Sequence, residues 1–197
     1  MPVDPRAFRD QVHQQALDEA QRMLVERGWD QLRFGEVAAA VGVSRPTLYA
    51  AFGNKEGLAE ALVLRETDRF LAGIAAELDR QQDDMRGAVE AAVAYTLAEA
   101  GRSPVLHAVL TSARAGSESL LPLLTTRSQP VLDAATEVLA AWFVERFPGP
   151  TEDEVRFGVD ALVRLVVSHL VLPAADETQT PPQLAELAVR YLAMASS

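Results

Sequence analysis

A cluster of side chains from Arg33 to Lys55 carries the most legible chemistry in this chain. Arg45, Thr47 and Tyr49 fall within five positions of one another. A guanidinium offers a fork of donors that matches a guanine edge, a threonine methyl suits a thymine methyl, and a phenol hydroxyl can hold a phosphate. On a helix, Arg45 and Tyr49 are four apart and share a face. Leu48 and Phe52 are also four apart and share another. The result is a short rod with an apolar back and a front suited to the major groove of a duplex. An outward tyrosine is ordinarily a half-buried surface aromatic, but an arginine and a threonine beside it weigh toward nucleic acid.

Such a rod has to be held at a fixed angle by its neighbours. The stretch from Val37 to Lys55 reads as two short helices joined by a tight turn. The first is expected over about 34–40, with Val37, Ala38 and Val41 inward. Gly42 supplies the positive φ that the turn needs, and Val43 fills the angle between the helices. Ser44 is a natural N-cap for the second helix, and Pro46 sits in its first turn, where the missing N–H costs nothing. A longer helix over about 6–27 precedes them, striped by Val12, Ala16, Ala20, Met23 and Leu24 and closed by Gly28. Asn54 reads as the cap of a fourth helix, so Lys55, the only lysine in the chain, lies in its first turn. A cation there opposes the helix dipole, and a phosphate docked on the free N–H groups would remove that conflict. The phosphate reading is preferred over the alternative, a tolerated surface charge partly offset by Glu56.

Farther along, the pattern stays helical. The fourth helix continues through Leu62, Phe70, Leu71, Ile74 and Leu78 and ends near 80–84; another is expected over about 87–100. Pro104 opens the next, and a loop around Gly116 and Pro122 leads to a helix that stops at Phe147. Thr151 caps a further helix whose first turn holds Glu152, Asp153 and Glu154, complementing its dipole. Arg156, Asp160, Arg164 and Ser168 form one polar stripe on it, and the other sides from Leu162 to Leu172 are apolar. A helix with that many apolar sides has to be covered on more than one of them. The last helix, opened by Pro181 and Pro182, carries Leu184, Leu187, Ala188, Tyr191 and Leu192 on one stripe. These two helices either complete a monomeric core or pair with their copies in a four-helix dimer interface, and the second reading is preferred.

Composition narrows the class. The net charge of −10 is unevenly spread. Residues 1–57 hold seven basic and eight acidic side chains; the rest hold eleven and twenty. A nearly neutral module facing DNA and an acidic body would produce that split. The 197 residues contain no cysteine, which rules out disulfides and thiolate metal sites and fits a cytoplasmic setting. The apolar stretch from Leu165 to Ala175 is broken by Ser168, His169 and Pro173 and is too short to span a bilayer; the N-terminus has no apolar run of the signal-peptide type. No nucleophile motif, paired carboxylates, phosphate loop or metal cluster marks an enzyme, and no cofactor is expected. The alternatives are a protein–protein adaptor reusing the helix pair without DNA and an all-α enzyme without DNA binding.

With Gly-Val-Ser-Arg-Pro-Thr-Leu-Tyr at 42–49 and Phe-Gly-Asn-Lys-Glu-Gly-Leu at 52–58 in view, the module resembles the tetracycline-repressor (TetR) family over about Ala16 to Leu62. The resemblance implies an all-α homodimer of about nine helices. A helix-turn-helix DNA-binding domain would span 1–57, and an effector-binding and dimerisation domain 58–197. It implies that Arg45, Thr47 and Tyr49 approach bases and phosphates and that Lys55 meets the DNA backbone. Arg33, Ser44, Pro46 and Asn54 complete the expected DNA-facing set. Arg33 stands where the family usually has a capping Thr or Ser; it cannot accept the capping bond but can hold a phosphate. Ala50 and Ala51 replace larger polar residues, so fewer backbone contacts are expected.

For the effector, the candidate lining is Tyr95, Leu106, His107, Leu110, Trp142, Phe143 and His169, each of a type found more often in cores than in ligand sites. His107 and His169 have no acidic or thiol partner at metal-ligand spacing. So apolar a lining favours an apolar or amphiphilic molecule. Operator DNA, that effector and a second copy of the chain through its last two helices are the expected partners.

Overall fold

The computed structural model describes residues 5–81, 84–108 and 128–195. Every regular element among them is helical: α1 (Pro5–Arg27), α2 (Phe34–Val41), α3 (Arg45–Phe52), α4 (Lys55–Gln81), α5 (Met85–Ala100), α6 (Gln129–Arg146), α7 (Glu152–Val171) and α8 (Thr180–Ala195), with a single 3-10 turn at Glu177–Gln179. Residues 104–108 are also helical. The expected all-α architecture, a helix-turn-helix followed by a helical body, is what the chain adopts. Leu110, Gly116 and Pro122 lie outside the described residues.

The chain divides into two compact units: Met1–Glu66 with Ser103–Thr125, and Thr67–Arg102 with Thr126–Ser197. In the first, the α1 stripe of Val12, Ala16, Ala20, Met23 and Leu24 is buried, together with Trp29, Leu32, Val37 and Leu48. Gly42 closes α2 at φ 76°, and the Val43 N–H reaches back to the Ala38 carbonyl at 3.0 Å. That reversal, open to a residue without a Cβ, aims α3 away from α2. The segment returning at Ser103 is fastened by the buried Ser103 hydroxyl, which donates to the Glu66 carboxylate and accepts the Leu106 N–H at 3.2 Å.

The second unit has one apolar core. Leu71, Ile74 and Leu78 of α4 pack with Val89 and Val93 of α5, Phe143 of α6, Val155, Val159 and Val166 of α7, and Leu184 and Leu192 of α8. Thr151 caps α7 as its position predicts. Its hydroxyl accepts the Glu154 N–H at 3.3 Å, and the Glu154 carboxylate accepts the Thr151 N–H at 2.7 Å. This reciprocal box satisfies two amides that the first turn of a helix otherwise leaves open. No helix of the described residues is long and apolar enough to cross a membrane.

Candidate nucleic-acid interface

Helix α3 splits as its spacing dictates. Leu48 is fully buried and Phe52 nearly so, whereas Arg45 is exposed and Tyr49 is 52% exposed. Fully burying a leucine contributes about 2 kcal/mol, so rotation of α3 about its axis is strongly resisted. Ser44 is the N-cap, in extended backbone, accepting the Thr47 N–H at 3.2 Å, and the Ser44 and Thr47 hydroxyls are 2.8 Å apart. Pro46 occupies the first turn. Capped and without a backbone donor to lose at Pro46, the start of α3 is rigid where a ligand would meet it.

Helix α2 supports the exposed side chains. The Tyr49 ring leans on Phe34 with centroids 4.8 Å apart and planes at 59°. The Arg45 guanidinium lies over Gly35, where an added Cβ would come within 2.9 Å of its Nε. Neither support was read from the sequence. Periodicity places position 34 only at a helix start, and a glycine inside a short helix signals nothing about which side chain it makes room for. Arg33 is exposed and precedes α2 in extended backbone, with no side-chain cap bond, as an arginine there requires. No side chain caps α2; the Glu36 N–H bonds the Arg33 carbonyl at 2.9 Å, and the Arg33 cation stands at the helix start.

At the far side, Asn54 caps α4 through a 2.8 Å bond from the Gly57 N–H to Oδ1. Lys55 is engaged within the protein. Its Nζ donates to the Trp29 carbonyl at 2.8 Å and sits 5.2 Å from the centre of the Trp29 ring. Burial pulls its pKa below the ordinary 10.5, against the opposing charges of Asp30 and Glu56.

In the second unit, α7 and α8 leave an apolar face open. Phe157 is 67% exposed, Leu187 is 50% exposed, and Leu165 is also exposed. With Leu162, Ala188 and Tyr191 they line a shallow apolar cleft. The Tyr191 ring packs where a side chain on Gly158 would stand, 2.6 Å from an added Cβ, and its hydroxyl donates to the Glu154 carbonyl at 3.1 Å. The Arg164–Asp160 pair, 2.7 Å apart, falls on the predicted polar stripe.

Two family models match the chain: "Bacterial regulatory proteins, tetR family" over residues 16–62 and "Bacterial Tetracyclin repressor, C-terminal domain" over residues 84–190. The HTH-type transcriptional regulator AlkX of Mycobacterium tuberculosis is 30% identical over 181 residues, 92% of this chain and 85% of that protein. The chain belongs to the TetR family. It is a helix-turn-helix transcriptional regulator. Among solved structures, the TetR family repressor AlkX from Dietzia sp. strain DQ12-45-1b, implicated in biodegradation of n-alkanes, superposes with a TM-score of 0.76 at 28% identity, covering 94% of this chain and 97% of that one. The R. erythropolis transcriptional repressor QsdR shares the fold, with a TM-score of 0.65 at 17% identity over 92% of this chain and 95% of that one.

The effector candidates of this TetR-family chain belong to both units. Leu106 and the exposed His107 belong to the first unit, and Leu110 lies outside the described residues. In the second unit, half-buried Tyr95 meets Phe70 edge-on at 6.3 Å, and its hydroxyl occupies the space a side chain on Gly73 would need. Trp142 is buried and donates from Nε1 to Asp79 at 2.8 Å, with the Arg146 guanidinium 4.8 Å from its ring. Phe143 lines the α7–α8 cleft, and His169 is half-buried on α7. Among the described residues, no group of carboxylate and imidazole ligands is arranged to hold a metal.

Proposed function

We propose that this chain represses transcription by gripping an operator duplex as a homodimer, and that it releases the duplex when a small, largely apolar molecule binds the second unit. The observation that carries the DNA reading is the partition of α3, with Leu48 and Phe52 buried and Arg45 and Tyr49 exposed. Arg45 reads base edges, Thr47 and Tyr49 contact the thymine methyl or the backbone, and Ser44, Pro46 and Arg33 lie along the phosphates, with Asn54 and Lys55 at the border. The acidic bulk of the chain keeps non-specific attraction to DNA low, leaving a few placed cations of the nearly neutral module to act.

The open apolar face of Phe157, Leu165 and Leu187 supports dimerisation through α7 and α8, since soluble monomers seldom expose such a patch. Two copies would then present α3 to half-sites about one helical turn apart. An effector that binds better to a conformation with another spacing shifts the population away from DNA. Its apolar character rests on the aliphatic and aromatic core of the second unit and on the n-alkane context of the Dietzia repressor.

The experiment is fluorescence anisotropy on a duplex from the region upstream of the chain's own gene, at several salt concentrations, with and without alkyl compounds. Salt-dependent binding reversed by an alkyl compound is expected, and Arg45→Ala should both weaken it and relax sequence preference. If Arg45→Ala leaves affinity and selectivity intact, the assignment of the reading face fails. Calorimetric binding of polyanionic metabolites alone would overturn the effector class.

A further inference from the structure

Lys55 is the sole lysine among 18 cationic side chains, all the others being arginine. Its ammonium is partly withdrawn from water. It donates to the backbone carbonyl of Trp29, 26 residues earlier in the chain, and lies over the Trp29 indole. That carbonyl also accepts the Leu32 N–H at 3.0 Å, so both of its lone pairs are used. Trp29 and Leu32 are buried in the first unit, and Arg33 follows directly as the residue preceding α2. One cation at the start of α4 thus ties down the turn that delivers α2.

We propose that Lys55 is a positioning residue whose effect on DNA binding runs through the Trp29–Leu32 turn, holding Arg33 and the start of α2 in register with α3. This rests on the DNA-binding reading above. The choice of residue follows from donor geometry. A lysine ammonium is a compact donor that one carbonyl and one aromatic face can satisfy. An arginine presents a longer, planar fork of five N–H groups, a poorer fit to one carbonyl that already accepts the Leu32 N–H. A site whose role was to hold a phosphate directly would accept arginine at least as well. The lowered pKa of Lys55 reflects the same withdrawal from solvent.

Lys55→Arg therefore separates the roles. Because the charge is kept, the slope of affinity against salt should stay as in the wild type, while affinity falls by about tenfold or more. An affinity equal to or above the wild type overturns the proposal. A second readout needs no DNA. In the free protein, Lys55→Arg and Lys55→Gln should speed hydrogen exchange at the Leu32 amide and leave the Leu48 amide unchanged. Unaltered Leu32 exchange overturns the clamp, as does equal acceleration at both amides, which would signify general loosening. Absence of operator binding by the wild type would instead defeat the regulator reading, and the exchange measurement would still decide the clamp.

Discussion

Replacing Phe157 by alanine tests the proposed pairing of two copies through α7 and α8. The side chain is 67% exposed in the single chain, and its ring makes a tilted approach to Tyr191 at 5.9 Å. A phenylalanine buries roughly 200 Å² when fully covered, so about 130 Å² awaits a partner here. At ~25 cal/mol per Å², covering it contributes about 3 kcal/mol, of which alanine would recover only a small part. A twofold interface contains the residue twice, so the variant should lose about 5 kcal/mol of association energy, an upper figure if the ring is incompletely covered. That corresponds to a dimer dissociation constant raised by about 10³- to 10⁴-fold. Sedimentation velocity across a dilution series gives the constant directly. The same series should show operator affinity collapsing once dimers dissociate, because a single half-site loses the benefit of linkage. Val138→Ala, at an exposed position on α6, is the control and should change neither. A Phe157→Ala protein that stays dimeric within threefold of the wild-type constant would refute the α7–α8 interface.

Two other perturbations probe the scaffold. Gly57→Ala places a methyl against the Phe52 carbonyl oxygen, a backbone atom that cannot step aside, so α3 and α4 should separate; thermal unfolding should show a loss of about 1–3 kcal/mol, accompanied by weaker operator binding. The Glu154 carboxylate is held below its ordinary pKa of 4.5 by the Thr151 hydroxyl and N–H. A carboxylate whose folded-state pKa is depressed contributes stability that is present above the unfolded value and lost as pH falls through the folded one. Glu154→Gln should thus be less stable than the wild type in urea titrations at neutral pH, and the difference should vanish once pH drops below the carboxylate range. A difference that persists in acid would show that the charge is not what holds the start of α7.

Much of this molecule is decided locally. The helix boundaries near Gly28, Gly42 and Thr151, the burial of the α1 stripe, and the division of α3 into an inner Leu48–Phe52 edge and an outer Arg45–Tyr49 edge follow from helical periodicity and from the few residues that can begin or end a helix. These are interactions between neighbours in sequence, and their period can be read without knowing what lies across the core. The side chains of the candidate interface were legible for the same reason.

What surrounds them was settled only by tertiary packing. That Gly35 opens a place for Arg45, that Phe34 props Tyr49, and that the Lys55 ammonium ends on the Trp29 carbonyl all depend on the angle at which α2 and α4 meet α3. Likewise, residue type alone marks Phe157, Leu165 and Leu187 as apolar, yet only the packed chain distinguishes them from the buried Val155, Val159 and Val166 of α7. A repeat along one helix specifies which residues share a side. Which side finds a neighbour depends on contacts between residues distant in sequence, and the chain must fold before those exist.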